Sequence, residues 1–452
     1  MNNKKWTIFS LGTNNWQSNE EFAPGSGILH EGHHRVFNEL KEVECYSMWP
    51  SKIQRNNPLK KDIQIFPLEH DIPICESVSP NSSYRWHSMS DKDFSNYYFR
   101  LLNDVEKFIG KVESEKQDFN LFIAHHAFVN PVIMNEINER RFSSGKKKVP
   151  LAVFAHGTAL KMYQNELNNL SDFNLRYFPW INKKGIFDSK NKKINSAFVI
   201  SESQKEVFSN TFNDFNSKDL VISGNGFNDQ YFRVPSQRPS LEKALEGIVT
   251  MSGEKVPSYF DKTIIFTGKF ADWKRLDTVL LAAQDYERDL KEKKNLDVAT
   301  LVVGTGPEKD KKFYFGMAKF LGLKNTFFLG PQNQEKLAEL NAVADIGVYP
   351  SKDEPFGLVL LECMACGTPI IGANSGGPKD YVTNDVGELI SESNNKNILA
   401  QRLSYVVQKA LVEDWKKTKG PTASAKAHNN FSLKAQCVNL LKEIEYRLNV
   451  KI

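Results

Sequence analysis

Residues 263–351 repeat one pattern: a run of β-branched and apolar residues ends in glycine or a small polar turn, and a helix-forming stretch follows. Four such runs lie at 263–268, 301–306, 325–330 and 345–351. Apolar runs of this length are typical of strands buried on both faces, and strands that alternate with helices form parallel sheets. The sequence therefore predicts a doubly wound α/β domain in this half of the chain.

Two glutamates follow the last of these strands. Glu354 precedes a Phe-Gly pair that can open a helix, and Glu362 lies four residues past Leu358, one turn deeper on the same face. The Gly-Thr-Pro segment at 367–369 ends the predicted helix. Its first N–H groups, from Gly357 onward, form a site that attracts anions. Both carboxylates are therefore expected to reach a ligand held at the start of this helix.

The turn after the first strand of this half supplies cations for such an anion. Lys269 and Lys274 flank that strand-to-helix turn. Open α/β sheets bind ligands at the carboxyl ends of their strands. Two ammonium groups beside a helix N-terminus suit a diphosphate.

These motifs together resemble a known family, the family 4 retaining glycosyltransferases of GT-B architecture. The matching elements are Gly-Lys-x4-Lys at 268–274, Val-Gly-Thr-Gly-Pro at 303–307, Phe-Leu-Gly at 328–330, Asp-Ile-Gly-Val-Tyr-Pro-Ser at 345–351, the Glu-Pro-Phe-Gly helix at 354–369 and Gly-Gly-Pro at 376–378. They are similar to the family's donor domain. The resemblance is strong over residues 263–392 and weaker before them.

The resemblance implies two doubly wound, Rossmann-like domains that face a cleft, with a C-terminal helix crossing back to the first domain. We accordingly expect an acceptor-side domain over residues 1–235, a donor-binding domain over 260–425 and a helix within 426–452 that packs on the first domain. The intervening residues 235–259 are predicted to connect the domains. Strands of the first domain are predicted at 6–11, 63–68, 120–124, 149–155, 197–200 and 220–223.

The activity implied by the resemblance is that of a hexosyltransferase. It would move a sugar from a nucleotide-diphosphate sugar, with UDP-sugars favoured, to a hydroxyl of a glycan, glycolipid or cell-envelope precursor, with retention at the anomeric carbon. The diphosphate would be neutralised by two lysines and by backbone dipoles, so that neither a divalent metal nor a cofactor is needed.

The resemblance also implies roles for individual residues. The diphosphate would be held by Lys269, Lys274 and the amides of Gly357, Leu358 and Val359, beside Phe356. Glu354 would orient the donor sugar, and Glu362 would accept hydrogen bonds from the ribose. The nucleobase pocket would be shaped by Gly304, Gly306 and Gly330. One position departs from the family. Lys269 stands where the family usually has arginine, and a lysine offers a point charge rather than a two-pronged fork.

The first half contributes a glycine segment and a histidine. Gly25, Ser26 and Gly27 follow the first strand and precede a helix predicted at 31–40, so the backbone there could approach a phosphate or acceptor closely, with His30 beside it on the acceptor side. His156 ends a buried strand, where the resembled family has a histidine that contacts the sugar. A simple turn and a structural histidine are the alternative interpretations.

Composition and charge agree with this reading. A chain of 452 residues with 40% hydrophobic and 25% charged residues exceeds what one core organises. No signal peptide or apolar span is evident, and the five cysteines are irregularly spaced, so we expect a cytoplasmic protein.

Basic residues cluster at Arg140, Arg141, Lys146, Lys147, Lys148, Lys183, Lys184, Lys190, Lys192 and Lys193. They form either a solvated face or a peripheral contact with an anionic membrane or an acidic acceptor, and no nucleic-acid-binding pattern accompanies them.

Three other interpretations remain open. His30-Glu31-x-x-His34 matches a zinc hydrolase motif, although Gly32 disfavours a helix there. Paired carboxylates also serve glycoside hydrolases, which have no use for a phosphate-binding helix start. A non-catalytic GT-B protein that binds nucleotide sugar or acts as a partner subunit is the third. Cys363 and Cys366 form a Cys-x-x-Cys match that we interpret as core packing.

Overall fold

The structure, a computed structural model, describes residues 6–14, 16, 25–51, 64–67, 90–126, 129–156, 195–212 and 220–448. The chain divides into two compact units. Unit 1 comprises Met1–Gly224 and Gln436–Ile452, and unit 2 comprises Asn225–Ala435. Residues 235–259, predicted as the connection, thus belong to unit 2, and the chain rejoins unit 1 at Gln436 rather than at 426.

Unit 1 is built on a seven-stranded parallel sheet in the order β3-β2-β1-β4-β5-β6-β7. The strands are β1 (Trp6–Leu11), β2 (Val43–Ser51), β3 (Gln64–Pro67), β4 (Leu121–His125), β5 (Leu151–Ala155), β6 (Asn195–Val199) and β7 (Leu220–Ile222). The helices in the described part of this unit are α1 (Gly25–Glu39), α2 (Asp91–Glu115), α3 (Val129–Ser143) and α4 (Glu202–Thr211).

The six strands predicted for unit 1 all form, with bounds that differ by a few residues at most. Two elements depart from the prediction. Strand β2 was missed because Glu44, Ser47 and Pro50 interrupt its apolar residues. Helix α1 begins at Gly25 rather than at residue 31, so the predicted glycine loop is the first turn of the helix. The backbone N–H groups of that turn therefore lie at a helix N-terminus.

Unit 2 is built on a six-stranded parallel sheet in the order β10-β9-β8-β11-β12-β13. The strands are β8 (Lys262–Thr267), β9 (Val298–Val303), β10 (Thr326–Gly330), β11 (Ile346–Tyr349), β12 (Ile370–Ala373) and β13 (Gly387–Ile390). The helices are α5 (Leu241–Ala244), α6 (Leu276–Lys294), α7 (Glu308–Phe320), α8 (Gln334–Val343), α9 (Leu358–Ala365), α10 (Lys396–Val412), α11 (Trp415–Thr418) and α12 (Gly420–Phe431), with 3-10 turns at Asp272–Lys274 and Gly377–Asp380.

The last helix, α13 (Leu433–Leu448), begins in unit 2 and continues into unit 1 from Gln436. Gln436 is buried, and its Oε1 shares a hydrogen bond of 2.6 Å with Nε2 of His33 in α1. The chain therefore returns to the first unit, as the resemblance implied. Within the described part of the chain, no helix combines the length and the apolar composition that a membrane crossing requires.

Candidate functional site

The carboxyl edge of the unit 2 sheet brings a lysine and a glutamate together. Lys274 lies in the 3-10 turn after β8, and Glu354 lies in the loop between β11 and α9. Lys274 Nζ is 2.5 Å from Glu354 Oε2, and the two residues are 9% and 7% exposed. The same ammonium group stands 4.2 Å from the ring centre of Trp273. Sequence spacing placed both residues at this edge but did not foresee that they pair.

The loop that carries Glu354 is held by the segment after β12. Gly377 N donates to Glu354 O at 2.7 Å. A Cβ at Gly376, whose φ is 66°, would lie 2.2 Å from that same carbonyl oxygen. Asp353, itself left-handed with a φ of 49°, donates its N–H to Ser375 Oγ at 2.8 Å. Ser375 was missed by sequence reasoning, although its neighbours in the Gly-Gly-Pro motif pointed to this segment.

Helix α9 begins beside this loop at Gly357. This residue caps the helix with a φ of 91°, which side-chain-bearing residues rarely adopt. The Tyr381 hydroxyl fixes the entry to the helix because it is within hydrogen-bond reach of Phe356 O at 2.8 Å and Gly357 O at 3.1 Å. The amides of Leu358 and Val359 belong to the first turn, where N–H groups have no acceptor within the helix. N–H groups at such a helix start can bind an anion.

Glu362 lies one turn further along α9 and keeps part of its surface exposed. Burial of its carboxyl group raises the pKa to about 7. A group with this pKa changes its charge near neutral pH. As a carboxylate, Glu362 can accept hydrogen bonds from a hydroxyl-bearing ligand.

Three glycines predicted to shape a nucleobase pocket lie where strand ends of unit 2 come into close contact. A Cβ at Gly304 would lie 1.9 Å from Gly268 O, and one at Gly306 would lie 2.7 Å from Phe270 Cβ. Gly304 N donates to Gly330 O at 3.0 Å. These glycines let the ends of β8, β9 and β10 approach each other. Contact with a base stays a prediction, as does the role of the half-buried Lys269 that follows β8.

The carboxyl edge of the unit 1 sheet carries a cluster of histidines that sequence reasoning recognised only in part. Among the histidines that the structure describes, six are buried in unit 1, namely His30, His33, His34, His125, His126 and His156. His125 Nδ1 and His156 Nε2 share a hydrogen bond of 2.9 Å, and the ring centres of His126 and His156 are 4.6 Å apart. We call these six residues the histidine cluster. Adjacent histidines at 125–126 in the sequence were the signal for it.

Burial lowers the pKa of five histidines of this cluster. The pKa of His33 and that of His126 fall to about 4. The pKa values of His30, His125 and His156 fall well below the ordinary value, because of burial first and neighbouring histidines second. His126 has a φ of 70°, in the left-handed region. Such backbone strain is concentrated at functional sites in proteins.

His30, predicted to contact an acceptor, uses both ring nitrogens inside unit 1. Its Nδ1 accepts from Trp16 Nε1 at 2.9 Å, so Nε2 of the neutral ring carries the proton and donates to Ser10 Oγ at 3.0 Å. His30 is 1% exposed. It therefore supports the edge rather than reaching a ligand. Ser26, in the first turn of α1, is half-buried, and its Oγ accepts from Asn14 Nδ2 at 2.5 Å.

The zinc interpretation of His30 and His34 finds no support in the geometry. Nitrogen atoms of His34 are engaged by Ser47 Oγ at 2.8 Å and Asn38 Nδ2 at 3.3 Å. Across the described residues, no group of three or more histidine, cysteine, aspartate or glutamate side chains is arranged to hold a metal ion. Cys363 and Cys366 are free and buried, and burial raises the pKa of the Cys363 thiol to about 12, as expected of core packing.

The basic cluster predicted in the first half is largely neutralised where the structure describes it. Arg140 pairs with Glu106 and Glu136, Arg141 and Lys146 share Glu113, and Lys148 pairs with Glu139. Helix α2 supplies two of these four acids, Glu106 and Glu113, from outside the local sequence. The other half of the cluster, from Lys183 to Lys193, lies outside the described residues.

A separate cavity of about 880 Å³ lies in unit 2, lined among others by Arg238, Lys262, Thr263 and Asp345. Thr263 and Asp345 stand at the beginnings of β8 and β11. The cavity therefore opens at the amino end of the parallel sheet, opposite the edge that carries Lys274 and Glu354. It takes no part in the site described above.

Comparison with known proteins agrees with the architecture. Residues 251–419 match the family described as glycosyl transferases group 1. A D-inositol 3-phosphate glycosyltransferase of Geodermatophilus obscurus is 35% identical over 133 residues, which are 28% of this chain and 29% of that enzyme. The matched stretch thus spans less than a third of that relative's length.

Two solved structures share the fold over nearly the whole chain. Sucrose-phosphate synthase from Thermosynechococcus elongatus superposes with a TM-score of 0.66 at 15% identity, covering 99% of this chain and 100% of that one. Anabaena HepE, solved in complex with UDP and glucose, gives a TM-score of 0.62 at 14% identity, covering 98% and 100%. Residues 251–419 are therefore similar to the glycosyl transferases group 1 family, and the architecture of two parallel sheets is the GT-B fold.

Proposed function

We propose that this protein transfers a sugar from a UDP-sugar to a hydroxyl acceptor, with retention at the anomeric carbon. The observation that carries the proposal is the site at the carboxyl edge of the unit 2 sheet. There the buried Lys274–Glu354 pair lies in the loops that flank the glycine-capped start of α9. HepE, which has the same fold, is described in complex with UDP and glucose, and this supports the choice of nucleotide.

In this proposal the departing diphosphate is stabilised by charge and dipoles placed in advance. Negative charge grows on the leaving phosphate as the bond to the sugar breaks. That charge is stabilised by the amides of Leu358 and Val359, by the N-terminal dipole of α9 and by the ammonium group of Lys269. Backbone donors held by a capped helix need little reorganisation during the reaction. No step requires a metal ligand from this chain.

In this proposal the two residues of the buried pair have different roles in binding the donor. Glu354 neutralises much of the Lys274 charge, so Lys274 acts chiefly to fix the direction of the Glu354 carboxylate. That carboxylate can then accept hydrogen bonds from sugar hydroxyls. Glu362, in its ionised form, accepts from the ribose hydroxyls. Because its pKa is about 7, we expect this contact to strengthen above neutral pH.

We place acceptor binding on the carboxyl edge of the unit 1 sheet. Helix α1 presents Ser26 and the N–H groups of its first turn there, and His156 follows β5. The hydrogen bond shared with His125 holds the His156 ring, and burial keeps that ring neutral. A neutral imidazole can donate or accept a hydrogen bond with a hydroxyl group.

The first test is a thermal-shift panel of UDP, GDP and ADP with their sugar conjugates. A ligand that binds only the native state adds about 2.7 kcal/mol of stability at a hundred times its dissociation constant. We expect UDP ligands to give the largest shift and Lys269→Ala to reduce it strongly. Lys291→Ala serves as the matched control, because Lys291 is an exposed lysine in an ion pair with Asp297 at the end of α6.

Product stereochemistry tests the reaction itself. Once a UDP-sugar is identified, NMR of the anomeric proton in the transferred product should show the donor's configuration. An inverted product would contradict the proposed retention. A panel in which no nucleotide shifts the melting temperature would contradict the donor site altogether.

A further inference from the structure

Helix α7 presents a solvent-facing surface of unusual composition. Its inner side packs into unit 2, with Tyr314 against Phe270 and Phe315 against Phe328. Apart from Glu308 in the first turn, its exposed residues are Lys309, Lys312, Phe313, Gly316, Lys319 and Phe320, and Lys324 follows the helix. We call these seven residues the α7 face. Beyond lysine and phenylalanine, this face contains only a glycine.

The two phenylalanines of this face are unusually accessible. Phe313 is 56% exposed and Phe320 is 89% exposed. Seven residues apart on a helix, they lie on the same side, about 10 Å from each other along the axis. Two accessible aromatic rings on one side of a helix, bordered by lysines, give an apolar surface of the kind that marks interaction sites.

The charges around these rings have one sign. Lys309, Lys312, Lys319 and Lys324 are exposed. Their acidic neighbour Glu308 is engaged by Lys311 at 2.6 Å. Asp310, also in the first turn, is half-buried. The α7 face is therefore positive, with four lysines around two apolar side chains.

We propose that the α7 face docks on an anionic lipid bilayer. An interfacial helix of this class inserts aromatic side chains at the boundary between headgroups and acyl chains, while flanking lysines contact acidic headgroups. The four lysines of the α7 face give it a charge complementary to such a surface, and the exposed Glu308 beside them is paired with Lys311. A protein partner would have to supply acidic and apolar groups in the same spacing, whereas a bilayer supplies both everywhere. The proposal is independent of the sugar-transfer proposal.

Vesicle co-sedimentation tests this directly with the full chain. One set of vesicles contains equal amounts of phosphatidylglycerol and phosphatidylcholine, and the other contains phosphatidylcholine alone. We expect binding to the first set, loss of binding at high salt and little binding to the second. Each lysine near an acidic surface strengthens binding about fivefold. Charge reversal in Lys309→Glu with Lys312→Glu should therefore weaken partition more than tenfold.

A second variant tests the aromatic contribution, with a matched control. Phe313→Ser with Phe320→Ser should weaken binding about tenfold or more. Phe99→Ser with Phe142→Ser changes two other exposed phenylalanines, 64% and 63% accessible, in unit 1 and should leave binding unchanged. Circular dichroism melts confirm that each variant folds, since these side chains are accessible to solvent.

Two outcomes would overturn the proposal. The first is a parent protein that stays in the supernatant with both vesicle sets, or that binds equally well after the α7 face is changed. The second is sedimentation equilibrium showing self-association that the Phe313 and Phe320 changes abolish, because this would assign the face to a second copy of the chain.

Discussion

At the scale of single residues, the Lys274–Glu354 pair combines two roles that are hard to separate. Both side chains are almost fully buried, so each charge depends on the other for compensation. Removing one partner of such a pair typically destabilises a protein by about 3–5 kcal/mol, whereas replacing both is often close to neutral. A single substitution of Lys274 or Glu354 is therefore expected to change the stability of the protein as well as its activity.

A double-mutant cycle separates the two roles. We expect Lys274→Met and Glu354→Gln each to lower the free energy of unfolding by about 3–5 kcal/mol, and the double variant to recover much of that loss. Turnover should nevertheless fall by orders of magnitude in all three. Both Glu354 variants lack the carboxylate that orients the sugar, and Lys274→Met removes the ammonium group that fixes the direction of that carboxylate. Urea denaturation measures the first quantity, and nucleotide release from the donor measures the second.

The exposed pair of Lys291 and Asp297 provides the control for this cycle. Substituting it should change stability by less than about 1 kcal/mol. A double variant of Lys274 and Glu354 that kept near-parental turnover would show that the pair has no role in the reaction. One that was as unstable as the single variants would show that charge compensation is not what holds the loop.

At the scale of elements, the sequence predicts the helices and strands whose pattern lies within their own residues. The strands of unit 2 were readable because each is an apolar run that ends at glycine. The start of α9 was readable from its Phe-Gly motif. Strand β2 could not be predicted, because Glu44 and Ser47 interrupt its apolar pattern. It is a strand because it pairs with β1 and β3, which are formed by other parts of the chain. The same limit applies to Ser375 and Tyr381, whose roles depend on contacts with residues about 20 positions away.

The contact between the segment after β12 and the Glu354 loop leads to a second prediction. Gly376→Ala would place a Cβ 2.2 Å from Glu354 O, which the backbone can relieve only by moving the loop. We expect loss of the UDP-induced thermal shift and of turnover. Gly322→Ala is the matched control, because Gly322 also has a positive φ, of 69°, but a Cβ there meets nothing within 4 Å.

The control variant isolates backbone strain, which costs about 1–2 kcal/mol for a side-chain-bearing residue in the left-handed region. It should melt earlier than the parent and still respond to UDP. If Gly376→Ala responded to UDP as fully as Gly322→Ala does, the loop position would not control donor binding, and the proposed role of Glu354 would lose its structural basis.

At the scale of the whole molecule, the two units share a sheet type but differ in the chemistry of their carboxyl edges. Unit 2 carries the ion pair and the helix start, and unit 1 carries the histidine cluster. The cluster could not be predicted from the sequence as a whole, because its members come from α1, β4 and the ends of β4 and β5. Only folding of the sheet brings these elements together.

The histidine cluster predicts how stability depends on pH. Folding lowers the pKa of these histidines, so the folded state binds fewer protons than the unfolded chain does. Stability is then complete above about pH 6.5 and is lost as the pH falls toward 4, where His33 and His126 titrate in the folded state. Between neutral pH and pH 5, protonation of each of these two histidines should lower the free energy of unfolding by roughly 2 kcal/mol.

Urea denaturation midpoints at pH 7.5 and 5.0 measure this loss of stability. The substitution His126→Gln should reduce the loss. The control is His428→Gln, which changes a half-buried histidine of unit 2 and should leave the loss unchanged. Equal loss in parent and His126→Gln would show that protonation of other groups governs acid unfolding.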